Sequence, residues 1–455
     1  HRTDNFFLDL GGHSLLAARL VSSLRAHAEF HDVSMLDVYD HPTIEELATE
    51  LRVRHGAGNI TGNATDPRET YRATSWQYFR AGFVQFLALY FVVGFFSLQW
   101  LAPYLTYTVM MDDEYPIAEA AACALATLIA LYPVMIALSI AVKWLVLGRV
   151  KPGRYPVWGT YFLRWWFAGA FRSIVPTSYL TGTPLLNWYY RLMGARIGAN
   201  VYLGNDGGAM FDMLSIGDDS CLGADTHFTG ATVRDGWLTI GRIEIGARCF
   251  VGTRSVLGPS TRMEDDSSLE DLSLVPHGGV IPARETWHGS PARLKTVEHV
   301  DGGVPRPGLA RRFAYGILFA VGIMLFPLLP MAAFFPGMVA MAHLNYHDDY
   351  YHYLMYSPLV ALSFVVLVSL EVAALKWLLL GRVKPGTYPL YHSFCFRKWI
   401  VDRTLDLSLD VIGPLYSTLY LAPWYRLLGA KIGRRAEIST ASFVSPDCLQ
   451  IDDES

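Results

Sequence analysis

A multidomain chain, part α-helical and soluble, part membrane-crossing and part coiled parallel β-sheet, is what three patterns in the 455 residues predict. Hydrophobic residues make up 52% of the chain and charged residues 17%. That balance is unusual for a soluble protein, and the apolar excess is gathered into blocks. Aliphatic residues also recur at a strict six-residue spacing through one long stretch, a period that belongs neither to an α-helix nor to a flat strand. Finally, two sequence blocks return in the same order, which marks an internal duplication.

The length exceeds one ordinary domain. Five cysteines show no pairing or Cys-x-x-Cys pattern, so neither a disulfide framework nor a metal site is expected, and a reducing compartment is the simpler setting. The net charge of −4 argues against a nucleic-acid partner, which needs a basic footprint. No signal peptide opens the chain and its last repeated segment stops short, so an internal portion of a longer polypeptide is expected.

Residues 1–53 begin with a glycine turn, Gly11-Gly12, followed by an apolar periodicity through Leu15, Leu16, Leu20, Val21 and Leu24 that predicts a helix opening at Ser14. A hydroxyl there is either an ordinary helix cap or a phosphodiester site favoured by the unpaired helix N–H groups. Farther on, Pro42 ends one element, and Thr43 with Glu46 predicts a capping box for the next. The run Asp4-Asn5-Phe6-Phe7-Leu8-Asp9-Leu10-Gly11-Gly12-His13-Ser14, with Asp37 to Leu47, resembles the peptidyl-carrier family. That resemblance implies a partial all-α four-helix carrier with 4′-phosphopantetheine on Ser14, attached by a phosphopantetheinyl transferase. His13 is then a recognition or packing neighbour. Residues 54–75, rich in Gly, Asn, Thr and charge, read as a linker.

Residues 76–148 and 308–381 each hold a pair of apolar runs long enough to cross a bilayer, near 78–105, 118–146, 312–341 and 355–381. Arg68, Arg72 and Arg80 flank the start of the first span, and Lys143, Arg149, Lys151 and Arg154 gather where the second ends. Arg306, Arg311 and Arg312, then Lys376, Arg382 and Lys384, bracket the second pair. Asp112, Asp113, Glu114, Asp348 and Asp349 occupy the hairpin loops. The positive-inside rule places the carrier and the large connecting domain in the cytoplasm of a multi-pass cell-membrane protein. Glu371 is expected to snorkel or to pair with Lys376. Aromatic, Arg-bearing segments at 149–196 and 382–431 read as interfacial collars, or as the top of a packed core.

The duplication is carried by residues 143–153 and 376–386, Lys-Trp-Leu-Val/Leu-Leu-Gly-Arg-Val-Lys-Pro-Gly in both, and by Tyr190–Gly198, which returns as Tyr425–Gly433. Between the two pairs, residues 197–299 hold Ile245, Val251, Leu257, Met263, Leu269, Val275 and Ile281 at hexad spacing. Cys249, Ser255, Thr261, Ser267 and Ser273 stand four positions after the first five, and glycines follow the first three. Ile216, Leu222 and Phe228, with Ser220, Thr226 and Thr232, form an earlier set. A three-sided coil satisfies this pattern, with aliphatic residues filling the interior and small residues under the corners. Residues 432–455 start a second coil with Ile432, Ile438 and Val444 inside and Ala436, Ser442 and Cys448 as small positions. The lattice resembles the left-handed parallel β-helix of the hexapeptide-repeat acyltransferases, and Trp287–Arg293 resembles their closing segment. Those proteins are typically trimers with active sites between neighbouring coils. The resemblance therefore implies an intramolecular pseudo-trimer completed by a further tandem unit, or a homo-oligomer.

His227, flanked by interior Leu222 and Phe228, should point outward. The acyltransferase resemblance implies that it deprotonates the acceptor beside an acyl thioester. An amine with a pKa of about 10.4 is protonated at neutral pH by about three units, roughly 4 kcal/mol, so proton removal needs help. Asp225 and Glu244 are the candidates to orient His227, and Asp206, Asp212 and His277 are candidates to bind substrate within an acidic stretch that also contains Asp218 and Asp219. Insertions at 204–215 and 231–239 are expected to shape a pocket, and His288 is a secondary candidate.

Carrier, paired spans and duplicated coils together resemble the membrane-bound peptide synthetases that make homopolymers of basic amino acids, the ε-poly-L-lysine synthase family. In that family an upstream adenylation domain spends ATP to load the carrier, and tandem acyltransferase-like domains form isopeptide bonds. Lysine or a close analogue is then the monomer, Ser14 holds the aminoacyl thioester and His227 is the base. Two alternatives stand beside this: a membrane acyltransferase acting on a sugar or small molecule, and a non-catalytic scaffold coupled to export.

Overall fold

A computed structural model describes residues 3–11, 13–25, 27, 30, 33–56, 70–207, 210–295, 307–347, 355–413, 418–438 and 444–454. Most of the expected linker, the Asp348-Asp349 loop, Arg306 and Ser442 lie outside these. Three helices build the amino-terminal segment: α1 (Ser14–Arg25), α2 (Met35–Asp40) and α3 (Ile44–Gly56). Ala17, Val21, Val33, Val38, Leu47 and Leu51 form its buried core. The expected box closes α3, with Thr43 Oγ1 donating to Glu46 Oε2 at 2.9 Å and accepting from Glu46 N at 3.2 Å. Ser34 and Asp37 cap α2 in the same way.

Helices α4 (Ser75–Asp112) and α5 (Ile117–Val142) form the first long pair, α5 running on as a π-helical turn over Lys143–Leu147. They are followed by β1 (Gly153–Pro156), α6 (Thr160–Ser173), a short turn over Thr177–Leu180, and α7 (Pro184–Leu192). After the β domain come α8 (Leu309–Leu325), α9 (Leu328–His347), α10 (Ser357–Leu379), α11 (Ser393–Ile412) and α12 (Leu421–Leu427). Four helical segments, Ser75–Asp112, Ile117–Leu147, Leu309–Met341 and Ser357–Leu379, are long and apolar enough to cross a membrane, and no more than 22% of each apolar window is buried in the protein. Most of each apolar window therefore faces outward from the protein. The shortest of them, 23 residues, spans about 35 Å, more than the ~30 Å hydrocarbon core.

At the end of each second span the duplicated sequence makes the same contacts twice. Lys143 Nζ lies 2.9 Å from Asp212 and Lys376 Nζ 2.9 Å from Asp447, both pairs almost fully buried. Val150 N donates at 3.1 Å to the same Asp212 oxygen that meets Lys143, and Val383 N at 3.2 Å to the Asp447 oxygen that Lys376 leaves free. Trp144 and Trp377 donate to the Leu192 and Leu427 carbonyls at 2.8 and 2.9 Å. Gly194 and Gly429, at φ +111° and +108°, press their backbone against the two carboxylates, where a β-carbon would collide with an oxygen. Two expectations change here. Lys376 pairs with Asp447 and leaves Glu371 aside, and Asp212 is a buried structural partner, closed to substrate.

The β domain consists of two- and three-residue strands dealt in turn to three parallel sheets. One face stacks β2 (Arg196–Ile197), β4 (Leu214–Ile216), β9 (Ile243–Ile245), β12 (Thr261–Met263) and β15 (Val280–Ile281). A second stacks β3 (Tyr202–Leu203), β5 (Cys221–Leu222), β10 (Phe250–Val251), β13 (Ser268–Leu269) and β16 (Thr286–His288). The third stacks β6 (His227–Phe228), β11 (Val256–Leu257) and β14 (Leu274–Val275). Register pairs each hexad aliphatic with the one a coil away: Ile245 with Met263, Val251 with Leu269, Leu257 with Val275. All of these are buried, as are the small residues Ser220, Thr226, Cys249, Ser255, Thr261, Ser267 and Ser273. Corner residues adopt left-handed φ in vertical columns, Asn200, Asp219, Arg248, Asp266 and Arg284 on one edge and Asp225, Arg254 and Leu272 on the next. The coil ends where β17 (Arg293–Lys295) turns back antiparallel on β16.

Thr232 departs from the lattice. It lies exposed in β7 (Ala231–Arg234), which forms a hairpin with β8 (Trp237–Ile240), and β8 pairs with β1. The second insertion thus docks the coil onto the segment after α5. In the second unit β18 (Lys431–Ile432) pairs with β19 (Gln450–Ile451). Cys448 is exposed in a turn over Pro446–Cys448 and fills no corner.

Candidate functional site

Ser14 is the first residue of α1 and is exposed, with Leu10, Leu15 and Leu16 exposed around it. An accessible hydroxyl at a helix N-terminus fits a phosphodiester-linked arm. The segment is anchored on the coil by Arg293 of β17, whose Nη2 lies 3.3 Å from Asp37 Oδ1 in α2.

His227 lies on the outer side of β6, side chain exposed, while its backbone N donates to Ser255 O at 2.9 Å and Phe228 points inward. Asp225 occupies the corner two residues earlier at φ +53°, and its carboxylate takes Arg254 Nε at 3.3 Å from the coil above. Glu244 is on a different face: it belongs to β9, between Ser215 and Arg262, so it is no partner of His227. Asp206 receives Thr177 Oγ1 at 2.5 Å, and Arg172 donates to its carbonyl, which ties the first insertion to the segment between α6 and α7. Asp218 and Asp219 serve coil corners, accepting from Ala199 N at 2.8 Å and Asn200 Nδ2 at 2.9 Å. His277 and His288 are exposed at coil positions apart from β6. The acidic stretch therefore disperses in three dimensions, because consecutive hexads go to different faces.

A cleft of about 310 Å³ lies where the second unit meets the first. Its first-unit wall includes Gly182, Tyr202, Gly204 and Ala224, and its second-unit wall is α11 with Lys398, Asp402, Arg403 and Asp406. Trp399 Nε1 donates to Thr181 O at 3.0 Å and Arg403 Nη1 to Ser178 O at 3.3 Å, fixing α11 across the seam. Within α11, Lys398 pairs with Asp402 and Arg403 with Asp406, each at 2.8 Å. Burial pushes the Asp406 carboxyl above its ordinary range, with Arg403 opposing and Asp402 and Asp225 adding to the rise. Asp225 is thus within electrostatic reach of the cleft, and Ala224 beside it lines the wall. Cys395, also in the lining, donates its Sγ to Pro389 O at 3.0 Å, and burial raises its thiol pKa with Lys398 opposing. None of the α11 residues was singled out in sequence; their charges, unmatched at the duplicated positions of α6, were the available signal.

The chain thus combines a helical amino-terminal segment with an exposed serine, membrane-length helix pairs and a three-sided parallel coil. Residues 1–51 match the phosphopantetheine attachment site family; this segment is a carrier domain, and its cofactor is 4′-phosphopantetheine on a serine. The chain is related along nearly its whole length to a homopoly-amino-acid synthetase. It is 31% identical over 476 residues to delta-poly-L-ornithine synthetase of Acinetobacter baumannii (strain AB307-0294), covering 99% of this chain and 35% of that protein. The chain thus spans about a third of that relative's length. Bassianolide nonribosomal cyclodepsipeptide synthetase of Beauveria bassiana is 47% identical over 51 residues, 11% of this chain and 2% of that protein. Among solved structures, a maltose O-acetyltransferase from Clostridium difficile 630 matches 38% of this chain and 89% of its own at 15% identity and a TM-score of 0.21. Soybean serine acetyltransferase matches 62% of this chain and 95% of its own at 12% identity and a TM-score of 0.22.

Proposed function

We propose that the chain is part of a membrane-bound nonribosomal synthetase that joins basic amino acids, ornithine or lysine, through isopeptide bonds. The observation that carries this reading is the exposed imidazole of His227 on an outer coil face, three residues from Ala224 in the wall of an inter-unit cleft, in a chain that also holds its own carrier. The relative's name, delta-poly-L-ornithine synthetase, supports the monomer class. Bound through Ser14, 4′-phosphopantetheine supplies a thioester whose carbonyl is activated toward amines. Forming the amide C–N bond breaks the thioester C–S bond, and in this reading a ring nitrogen of His227 takes the proton that the acceptor nitrogen loses and passes it to the departing thiolate. Asp225, held by Arg254 at the preceding corner, adds negative potential where the protonated imidazole develops.

The coils are left-handed β-helices of the hexapeptide-repeat type in this reading, and tandem units pack as a pseudo-trimer. Helices α4, α5, α8 with α9, and α10 span a lipid bilayer, the carrier and coils lying on its cytoplasmic side. An adenylation domain elsewhere in the same polypeptide spends ATP to load Ser14, after a phosphopantetheinyl transferase has modified it. The test is incubation of the full-length protein with ATP and single basic amino acids, reading thioester loading and product chain length by mass. Products of one transfer only, onto a sugar or small molecule, would replace this reading by the tailoring-acyltransferase one, and Ser14→Ala should abolish both loading and product.

A further inference from the structure

The duplication supplies an internal control for the inter-unit cleft. Residues 143–173 and 376–406 align without a gap, and the structure keeps that register: Arg164 and Arg397 donate to the Val146 and Leu379 carbonyls, and the Tyr155 and Tyr388 hydroxyls to the Lys151 and Lys384 carbonyls. In this register Lys398, Asp402, Arg403 and Asp406 of α11 stand where α6 has Trp165, Gly169, Ala170 and Ser173. Four charges therefore appear only on the copy that faces another unit across a cavity. Helix solubility does not explain them, since Arg403 and Asp406 are only 17% and 29% exposed and partly buried charges cost free energy unless used. Arg403 also keeps a buried Nε with no acceptor among the described residues, although its other nitrogens are held by Ser178 and Asp406.

What an acceptor presents to such a wall follows from the proposed reaction, on which this inference rests. A basic amino acid that attacks through its side-chain amine keeps its α-ammonium in every cycle. Its α-carboxylate is free only in the first; afterwards the corresponding group is an amide carbonyl. A site serving all cycles must hold the cation firmly and offer a donor satisfied by either oxygen. We propose that the cleft between the two units is the acceptor site, where Asp402 and Asp406 hold the α-ammonium of the acceptor residue and Arg403 donates to its carboxylate or to the carbonyl that replaces it. The incoming ammonium takes the place of Lys398, whose side chain is 31% exposed and free to swing outward. The under-compensated carboxyl of Asp406 matches such a cation, and a cavity of about 310 Å³ lies within the ~300–1,000 Å³ usual for small ligands.

A pulse-chase on the full-length protein tests this. The carrier is loaded with labelled ornithine or lysine, ATP and free amino acid are removed, and discharge into peptide is followed as the acceptor is varied among the free amino acid, its Nα-acetyl derivative and its α-amide. Expected are a KM at least tenfold higher for the Nα-acetyl acceptor, an α-amide within about threefold of the free acid, and a similar tenfold rise for Asp406→Asn with the maximal discharge rate changed less than threefold. Loading of Ser14 is measured in each variant to show that it folds, and the acceptor series on the wild-type protein needs no variant. An Nα-acetyl acceptor that works as well as the free one, or an Asp406→Asn KM equal to wild type, overturns the acceptor site alone. If no amine discharges the loaded wild-type carrier into peptide, the synthetase reading falls and the acceptor site with it.

Discussion

Asp212 and Asp225 look alike in sequence, two carboxylates in one acidic stretch, yet their surroundings give them opposite fates. Asp212 is locked 2.9 Å from Lys143 with both side chains 4% exposed, whereas Asp225 sits on an edge, 39% exposed, beside Arg254. Removing one partner of a buried pair leaves the other uncompensated. Asp212→Ala should therefore cost about 3–5 kcal/mol, seen as a lower Tm in detergent, while the joint change Lys143→Met with Asp212→Leu should recover most of the loss. Asp225→Ala should shift Tm little, since an exposed pair contributes about 0–1 kcal/mol. For the proposed base, His227→Ala should lower the discharge rate by about 10²–10⁴-fold with loading of Ser14 unchanged; an undiminished rate would remove His227 from the chemistry.

At the level of elements, the small residues under the coil corners are the stringent positions. Ser255 is fully buried, donates to Glu270 O at 2.9 Å and accepts from Ser273 N at 3.3 Å. Ser255→Leu should cost at least ~1–3 kcal/mol by overpacking, read as a loss of folded protein on mild heating, whereas the same change at exposed Ser260 one coil corner away should be nearly silent in that assay. Hexad spacing made the interior legible because each aliphatic must fall on one of three faces. The same periodicity misleads at the site: stacking of residues 18 apart would set Glu244, 17 positions on, beside His227, but the partner of His227 is Val256, 29 positions on, and Glu244 goes to another face. The insertion between Phe228 and Ile243 then added a hairpin that no hexad rule covers. The cleft was illegible because one wall, α11, comes from a segment about 180 residues away, and only comparison of the two copies points to it. Capping of α3 by Thr43 and Glu46, a purely local feature, was readable outright.

For the whole molecule, four apolar segments with short acidic loops set a testable sidedness. In a background lacking native cysteines, a cysteine at Asp113, beyond α4, should react with an impermeant maleimide from outside intact cells. One at Leu272, 70% exposed on the coil, should react only after permeabilisation. Equal labelling of both would reject the proposed orientation. In the proposed orientation the carrier, in contact with the coil through Asp37 and Arg293, shares its side of the bilayer, so the proposed loading and transfer occur in one compartment.

Each cavity of the kind bounded by α11 requires two adjacent copies, one contributing a helix and the other a floor. A row of such copies with loose ends has one fewer cavity than copies, and a closed circle has as many. Under the proposed acceptor role, closing the circle adds one more place where an acceptor is held.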